Sequence, residues 1–396
     1  MSNIIELEER KCFDFFWKEI SHTDEGFGLI RDNNMQRDMS SIASIGFGLA
    51  GIVIGCERGY ITKKEGEERA IRTLKTMYEN AEEEHGFFYH FLLMDTAKRY
   101  RKCEASIIDT AILLMGALTV AQYFHGKTEE YFEKIYDRVD WNWYRNPKTN
   151  QFYMGYNTEK QEFFGAWDLY AEQFMMYVLG VVSKTHPVDA SIFYDCPLHK
   201  GGYGPYQEIY HSHSGSLFVY QFSHAFIDFR GKRDKRGIDW FENSVKATLA
   251  NRQYCIDNPE HKKSLHKNAW GMTACDTPNG YSGAIGCPPG FKNNTTHTAD
   301  GTVPPCGSIG SIVFTPKESI EAMEYFYQTF PKLWGEYGFY DAYNLDVTPE
   351  WYSDRVIGID KGISLVMIEN YRSGLIWQVV GENHYIKHAL EKLEIK

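Results

Sequence analysis

Residues 105–124 read ASIIDTAILLMGALTVAQYF. This stretch is apolar nearly all round at helical length, so the helix it predicts is buried on every side. The segment after it, 128–138, is amphipathic and charged, with one face for water. That succession decides the fold. An all-round apolar helix needs neighbours everywhere, whereas an amphipathic one needs them on one side only. Working outward, the pattern recurs. Residues 41–57, SIASIGFGLAGIVIGCE, are almost wholly apolar, and residues 62–81 are amphipathic. Thr62 and Glu65 have the spacing of a capping box. Residues 166–183 read as an apolar helix, 215–229 as a mixed aromatic one and 237–254 as amphipathic. Further on, 316–330 is amphipathic and 362–379 apolar. Residues 3–20 open the chain with Ile5, Cys12, Phe16 and Ile20 on roughly one side, and a short polar helix, 384–394, closes it. Strand-like alternation is scarce. Roughly twelve helices, buried ones alternating with amphipathic ones, fit concentric packing. The expected fold is therefore all-α, an (α/α)6 barrel or toroid in which each pair gives one inner and one outer helix. A plain multi-helix bundle is the competing reading.

A chain of 396 residues is long enough for two domains or for one repeat-built domain. No interdomain linker stands out, so residues 1–396 are read as one domain. Only 256–315 breaks the rhythm. It holds PNGYSGAIGCPPGFKNNTTHTADGTVPPCGSIGS, rich in the residues of turns. A loop this long in a compact domain is usually functional or disordered, and Trp270 with Ala274, Cys275 and Asp276 favours an ordered excursion that forms a cleft.

The formal net charge is −11, which argues against nucleic acid as a partner, since a phosphate backbone calls for Lys and Arg clusters. None of the eight cysteines forms a CxxC pair. Free thiols are expected, with a bridge or a zinc at Cys275, Cys287 and Cys306 as the alternative. The opening MSNIIELEERKCFDFF is charged and amphipathic and lacks an apolar signal core. No run approaches the length of a membrane span. As written, the chain reads as cytoplasmic; a trimmed signal would make it secreted or periplasmic. His211 and His213 are two apart, which is weak metal spacing without a third ligand, and no metal is expected. No nucleophile elbow, P-loop or dinucleotide fingerprint is present.

Aromatic residues make up 15% of the chain. They serve either a thick core or a cleft walled by flat rings, which suit the apolar faces of a sugar. Three stretches echo one another: GFFYHF (86–91), QFYMGY (151–156) and GFYDAY (338–343). If they are loops at one end of a barrel, Phe88, His90, Tyr153, Tyr156, Phe339, Tyr340 and Tyr343 surround one cavity. Acids sit among the apolar and aromatic segments: Asp109, Asp168, Glu172, Asp276, Glu336 and Asp341. Asp168 and Glu172 are four apart, on one face of the expected helix, with Trp167 and Tyr170 beside them. An acid against an aromatic wall has its charged form desolvated, which raises its pKa toward general-acid use. Glycoside hydrolysis asks for two such carboxyls.

Ten ordered segments carry a resemblance: GFFYHF, SIIDTAILLMGAL, WDLYAEQ, SLFVYQFSHAFIDFRG, NRQYCIDNP, NAWGMTACDTPNGY, DGTVPP, SIGSIVFTPKESIEAM, LWGEYGFYDAYN and GIDKGISLVMIENYRSGLIW. Together they resemble the glucoamylase-like domain of glycoside hydrolase family 144, the bacterial β-1,2-glucanases, and the transglycosylating domain of cyclic β-1,2-glucan synthases. The resemblance implies an (α/α)6 barrel acting on β-1,2-linked glucose chains without a cofactor. It places the two catalytic carboxylates at Asp109 and Glu172. Sugar contacts are expected from Asp168, Trp167, Tyr170, His90, His224 and Trp270. Asp276, Glu336, Phe339, Tyr340, Asp341, Tyr343 and Arg31 complete the expected set. Many of these glucanases have Asp-x-x-Glu where this chain has Ser106-Ile107-Ile108-Asp109. The change points to exo action, transfer or another linkage. Two other functions fit a toroid: a carbohydrate-binding barrel without catalysis, and a lyase or epimerase, which basic side chains near the cleft would favour and for which Arg31, Arg230 and Arg372 leave some room.

Overall fold

The apolar stretch is a helix, and it begins where its cap allows. In the computed structural model, which describes residues 3–258, 262–290 and 299–396, the first helices are α1 (Asn3–Lys18), α2 (Ile42–Glu57), α3 (Lys63–Glu79), α4 (Ile107–Phe124) and α5 (Lys127–Asp137). They are followed by α6 (Phe174–Val181), α7 (Ser191–Tyr194), α8 (Phe222–Phe226), α9 (Trp240–Asp257) and α10 (Pro305–Ile309). The last are α11 (Pro316–Thr329), α12 (Gly358–Arg372), α13 (Leu375–Glu382) and α14 (His384–Lys392). Strands are short and antiparallel, mostly hairpins between helices. Ser41 caps α2, and Thr62 with Glu65 closes the capping box on α3.

Packing divides the chain into two compact units. One comprises Phe13–Asp168, Gln173–Cys196 and Gly374–Lys396. Here α2 and α4 are buried along most of their length and lie against each other. Their glycines explain how. A Cβ on Gly46 would stand 2.4 Å from the Ile112 carbonyl oxygen, and one on Gly116 would stand 1.9 Å from that of Gly46. The two backbones touch, which only glycine permits. The amphipathic α3 packs on α2 and α5, and α5 on α4. On the other side α4 meets α6 and α13, and α14 covers α13 and α6. Within this unit, then, apolar helices lie inside and amphipathic ones outside.

Gly116→Ala should therefore destabilise by about 1–3 kcal/mol, since the added methyl must push two backbones apart. Gly381, in α13, faces open space. There the same change should stabilise by about 0.5–1 kcal/mol through helix propensity. Urea midpoints at unchanged slope decide both signs.

The other unit comprises Met1–Cys12, Leu169–Glu172 and Pro197–Ser373. In it α12 packs on α8 and α10, and α11 covers α10. Helix α9 packs on the hairpin Lys200–Tyr203/Tyr206–Tyr210 and on the 3-10 turn Leu217–Tyr220. A second glycine crossing recurs here: a Cβ on Gly307 would lie 1.9 Å from the Gly271 carbonyl oxygen.

Several expectations need correction. The helix expected over 166–183 starts only at Phe174, because the chain turns left-handed at Gly165 (φ +63°) and bends through Leu169–Gln173. The helix expected over 215–229 is a 3-10 turn and the five-residue α8. The helix expected over 362–379 is two, broken at Gly374 (φ +72°). Within 256–315, a hairpin (Cys275–Thr277/Gly280–Ser282) and α10 give order; residues 259–261 and 291–298 lie outside the described residues. Cys275, Cys287 and Cys306 are all buried, and among the described residues none of them forms a disulfide. Among the described residues, no group of His, Cys, Asp and Glu could hold a metal ion. Contrary to the expectation of no long apolar run, α4 is long and apolar enough to cross a membrane, with a mean hydropathy of 1.6. Yet 78% of it is buried inside the protein, as in a core helix.

Candidate active site

Asp109 sits in the first turn of α4, where a carboxylate meets the positive end of the helix. Ser106 caps the turn. Its hydroxyl accepts from the Asp109 N–H (3.3 Å) and donates to Asp109 Oδ2 (2.5 Å). Asp109 Oδ1 faces His90 Nε2 at 3.7 Å, and His90 Nδ1 lies 2.8 Å from Glu104 Oε1. Burial alone would lower the basicity of His90. Asp109, the hydrogen bond and charge of Glu104, and Asp32 outweigh it and raise the imidazole to about 9. Asp109 is only 7% exposed, while the His90 side chain keeps 31% of its surface.

The strand leading into Asp109 gathers two of the aromatic echoes. Ala105 pairs with Tyr156, and Tyr89 bridges to Ala105. So GFFYHF and QFYMGY do meet beside Asp109. All three echoes share one device: the chain turns left-handed at Gly86 (φ +85°), Asn150 (+51°) and Gly338 (+84°), then enters the second strand of a hairpin. The first rings of each go into the core, including Phe87, Phe88 and Phe152. Tyr153 and Tyr156 are partly exposed; Tyr153 stacks on Phe163 (4.6 Å) and Tyr156 stands edge-on to Trp143 (4.6 Å).

GFYDAY belongs to the other unit and ends in a buried carboxyl cluster. A Cβ on Gly338 would stand 2.0 Å from Glu8 Oε2, so only glycine fits, and the Phe339 N–H donates to that oxygen (3.1 Å). Glu8 Oε1 pairs with Lys361 Nζ at 2.7 Å and accepts from the Cys12 thiol. Three residues on, Asp341 is buried. Burial pushes its carboxyl well above the usual range, and the charge of Asp360 and a hydrogen bond with it add to the push. Two carboxyls that share a hydrogen bond hold a proton between them. Asp341 Oδ2 accepts from the Asp276 N–H, and the Asp276 carboxylate takes Arg355 (3.0 Å) and the Ser353 hydroxyl (3.0 Å). A cavity of about 10 Å³, room for one water, lies among Asp341, Asp360, Glu8, Lys361 and Cys306.

Glu172 also lies in this unit, 7% exposed, and its backbone carbonyl accepts from the Ser223 hydroxyl (2.6 Å). It does not share a helix face with Asp168, since neither residue is helical, and Asp168 is exposed. Other residues of the expected set are buried. Phe339, Tyr343, Trp270, Trp167 and Tyr170 are buried, the last stacked on Trp240 at 5.1 Å. His224 is buried too, 3.1 Å from the Ser244 hydroxyl, and burial pushes its imidazole down to about 3. Glu336 is exposed, and its backbone carbonyl accepts from Lys11; Arg31 pairs with Glu19. Tyr340 keeps partial exposure on the cavity beside Asp341. Glu104, Glu8, Arg355 and Asp360 hold expected site residues in place but lie outside the expected set. An acid immediately before the apolar run (Glu104) and one inside GIDKG (Asp360) were the available signals.

Residues 165–384 match a family model described as "Glycoamylase: Putative glucoamylase". A solved structure from Bacteroides uniformis, described as a glucoamylase, superposes with a TM-score of 0.89 at 28% identity, over 99% of this chain and 97% of that one. An endo-β-1,2-glucanase from Chitinophaga pinensis, solved with sophorotriose and glucose, gives 0.87 at 27% identity, over 99% and 98%. An exo-β-1,2-glucooligosaccharide sophorohydrolase (non-reducing end) of Parabacteroides distasonis is 26% identical over 99% of this chain. The chain spans 58% of that relative's length. The family model takes in more than half of the chain, and the chain belongs to this glucoamylase family.

Proposed function

We propose that this protein is a glycoside hydrolase acting on β-1,2-linked glucan or its oligosaccharides, and that its fold is an (α/α)6 barrel forming one domain. The observation that carries the reading is likeness along 99% of the chain both to a β-1,2-glucooligosaccharide sophorohydrolase and to an endo-β-1,2-glucanase. The inside–outside arrangement of helices in the unit around α4 supports the barrel. Cleavage of a glycosidic bond requires a carboxyl that protonates the leaving oxygen and a carboxylate that activates water or attacks the anomeric carbon. We assign these tasks to Glu172 and Asp109. The partly exposed rings of Tyr153 and Tyr156, on the sheet that leads into Asp109, supply flat faces for glucose units.

A second assignment has an observation of its own. Burial, then the charge and hydrogen bond of Asp360, raises the Asp341 carboxyl well above its ordinary value, the direction that suits a general acid. In that reading Asp341 takes the place of Glu172 as the acid, and Asp109 remains the carboxylate.

Incubation with linear β-1,2-glucan and its short oligomers, beside β-1,3- and β-1,4-linked chains, tests the function. Shorter β-1,2 products are expected, and NMR during the first turnovers reads their anomeric form. Longer products in place of shorter ones would mean transfer to sugar rather than to water. Binding of the β-1,2 chain without any new product would refute hydrolysis.

A further inference from the structure

We infer that Glu104 and His90 form a positioning pair for Asp109: Glu104 fixes the imidazole, and the ring, protonated on both nitrogens, presents an N–H to the Asp109 carboxylate. The inference rests on the proposed catalytic role of Asp109. It gives His90 a task other than direct contact with sugar.

Geometry carries the argument. The ring stands between two carboxylates, with Nδ1 2.8 Å from Glu104 and Nε2 3.7 Å from Asp109. A neutral imidazole has one bare nitrogen, and here that nitrogen would face the lone pairs of a carboxylate whichever tautomer formed. Only the doubly protonated ring donates on both sides. The ring is also fixed in place. The His90 N–H donates to the Glu104 carbonyl (2.9 Å), its carbonyl accepts from the Ile42 N–H (3.2 Å), and it stacks on Phe91 at 3.9 Å and 13°. The negative charge of Asp32 also acts on it. Glu104 is held in turn, its carboxyl lowered below the usual range; burial opposes this, and the His90 hydrogen bond and charge outweigh burial.

Both oxygens of Asp109 are then assigned: Oδ2 takes the Ser106 hydroxyl and Oδ1 faces the imidazolium. The 3.7 Å gap is that of an ion pair, and such contacts often tighten only when substrate binds. The pair thus sets the direction of the Asp109 carboxylate and keeps a positive charge beside it. Because His90 is raised in the folded state, its contribution to stability is complete below the ordinary histidine value near 6.5 and is lost as pH rises through about 9.

The test follows the His90 ring protons by NMR across pH and measures kcat/KM against pH, in the wild type, Glu104→Gln and Asp109→Asn. In the wild type His90 should titrate above about 8. Glu104→Gln should lower that value by at least about one pH unit, through loss of one ion pair. The alkaline limb of kcat/KM should move down with it, and His90→Lys should retain more activity than His90→Gln. A wild-type titration near the ordinary value of about 6.5 would overturn the inference, as would an alkaline limb indifferent to Glu104→Gln. Full turnover in Asp109→Asn would instead refute the catalytic role of Asp109, whereas the His90 titration still reports the ion pair by itself.

Discussion

Glu172→Gln is expected to lower turnover of β-1,2-glucan by about a hundred- to ten-thousand-fold, the usual worth of a general acid or base. Asp109→Asn should cost a similar factor. Both changes keep size and most hydrogen bonds, so the loss falls on kcat rather than on folding. For Asp109 the structure sharpens the expectation. The amide that Asp109→Asn introduces has no negative charge for His90 to pair with, although it still accepts from Ser106 through its carbonyl. For Glu172, which is 7% exposed, the amide conserves volume in a buried place. Asp341→Asn decides between the two assignments. If Asp341 is the acid, its amide loses the same large factor while Glu172→Gln stays within about ten-fold of wild type. Near wild-type turnover in both Glu172→Gln and Asp109→Asn would remove the assignment altogether.

The fold was legible because burial leaves a periodic trace. The runs 41–57 and 105–124 read as helices buried all round, and α2 and α4 are buried along most of their length. Shorter helices left no such trace. A five-residue helix such as α8 has too little length for periodicity, and Gly374 breaks an apolar run without altering its composition. Glu172 illustrates the limit for site residues. Its apolar neighbours suggested a helix, yet Leu169–Gln173 is a bend, and tertiary packing overrode the pattern. Aromatics were ambiguous for a different reason: a ring that walls a cleft and a ring that fills a core look alike in sequence. Phe339 and Tyr343 turned out to be core, and Tyr153 and Tyr156 kept a face to solvent. Asp341 was legible as an acid among aromatics. Its partner Asp360 lies on α12, nineteen positions on, and no local spacing joins them.

Lys361→Met should unfold the protein more readily by about 3–5 kcal/mol, the cost of leaving a buried charge without its partner. The side chains of Lys361 and Glu8 are 6% and 0% exposed and stand 2.7 Å apart. Burial opposes the charge on Lys361, and the Glu8 carboxylate outweighs it, so Lys361 is raised and keeps its charge in the folded state. Glu8 also accepts from Cys12 and from the N–H of Phe339, the strand residue that follows Gly338. With Lys361 gone, the anion must take up a proton or pull away, and the turn at Gly338 that leads to Asp341 loses its anchor. The expectation is therefore twofold: a lower urea midpoint, and in the folded fraction a reduced kcat if Asp341 takes part in the chemistry. A double variant separates charge from packing. Glu8→Leu with Lys361→Met removes both charges and keeps apolar bulk, and it should recover most of the lost stability, because a buried ion pair and well-packed apolar residues are often of similar worth. It should not recover kcat, since Phe339 still lacks the acceptor that fixes the hairpin. Lys361→Met within about 1 kcal/mol of wild type would mean that water reaches Glu8, and the anchoring role would fall with it.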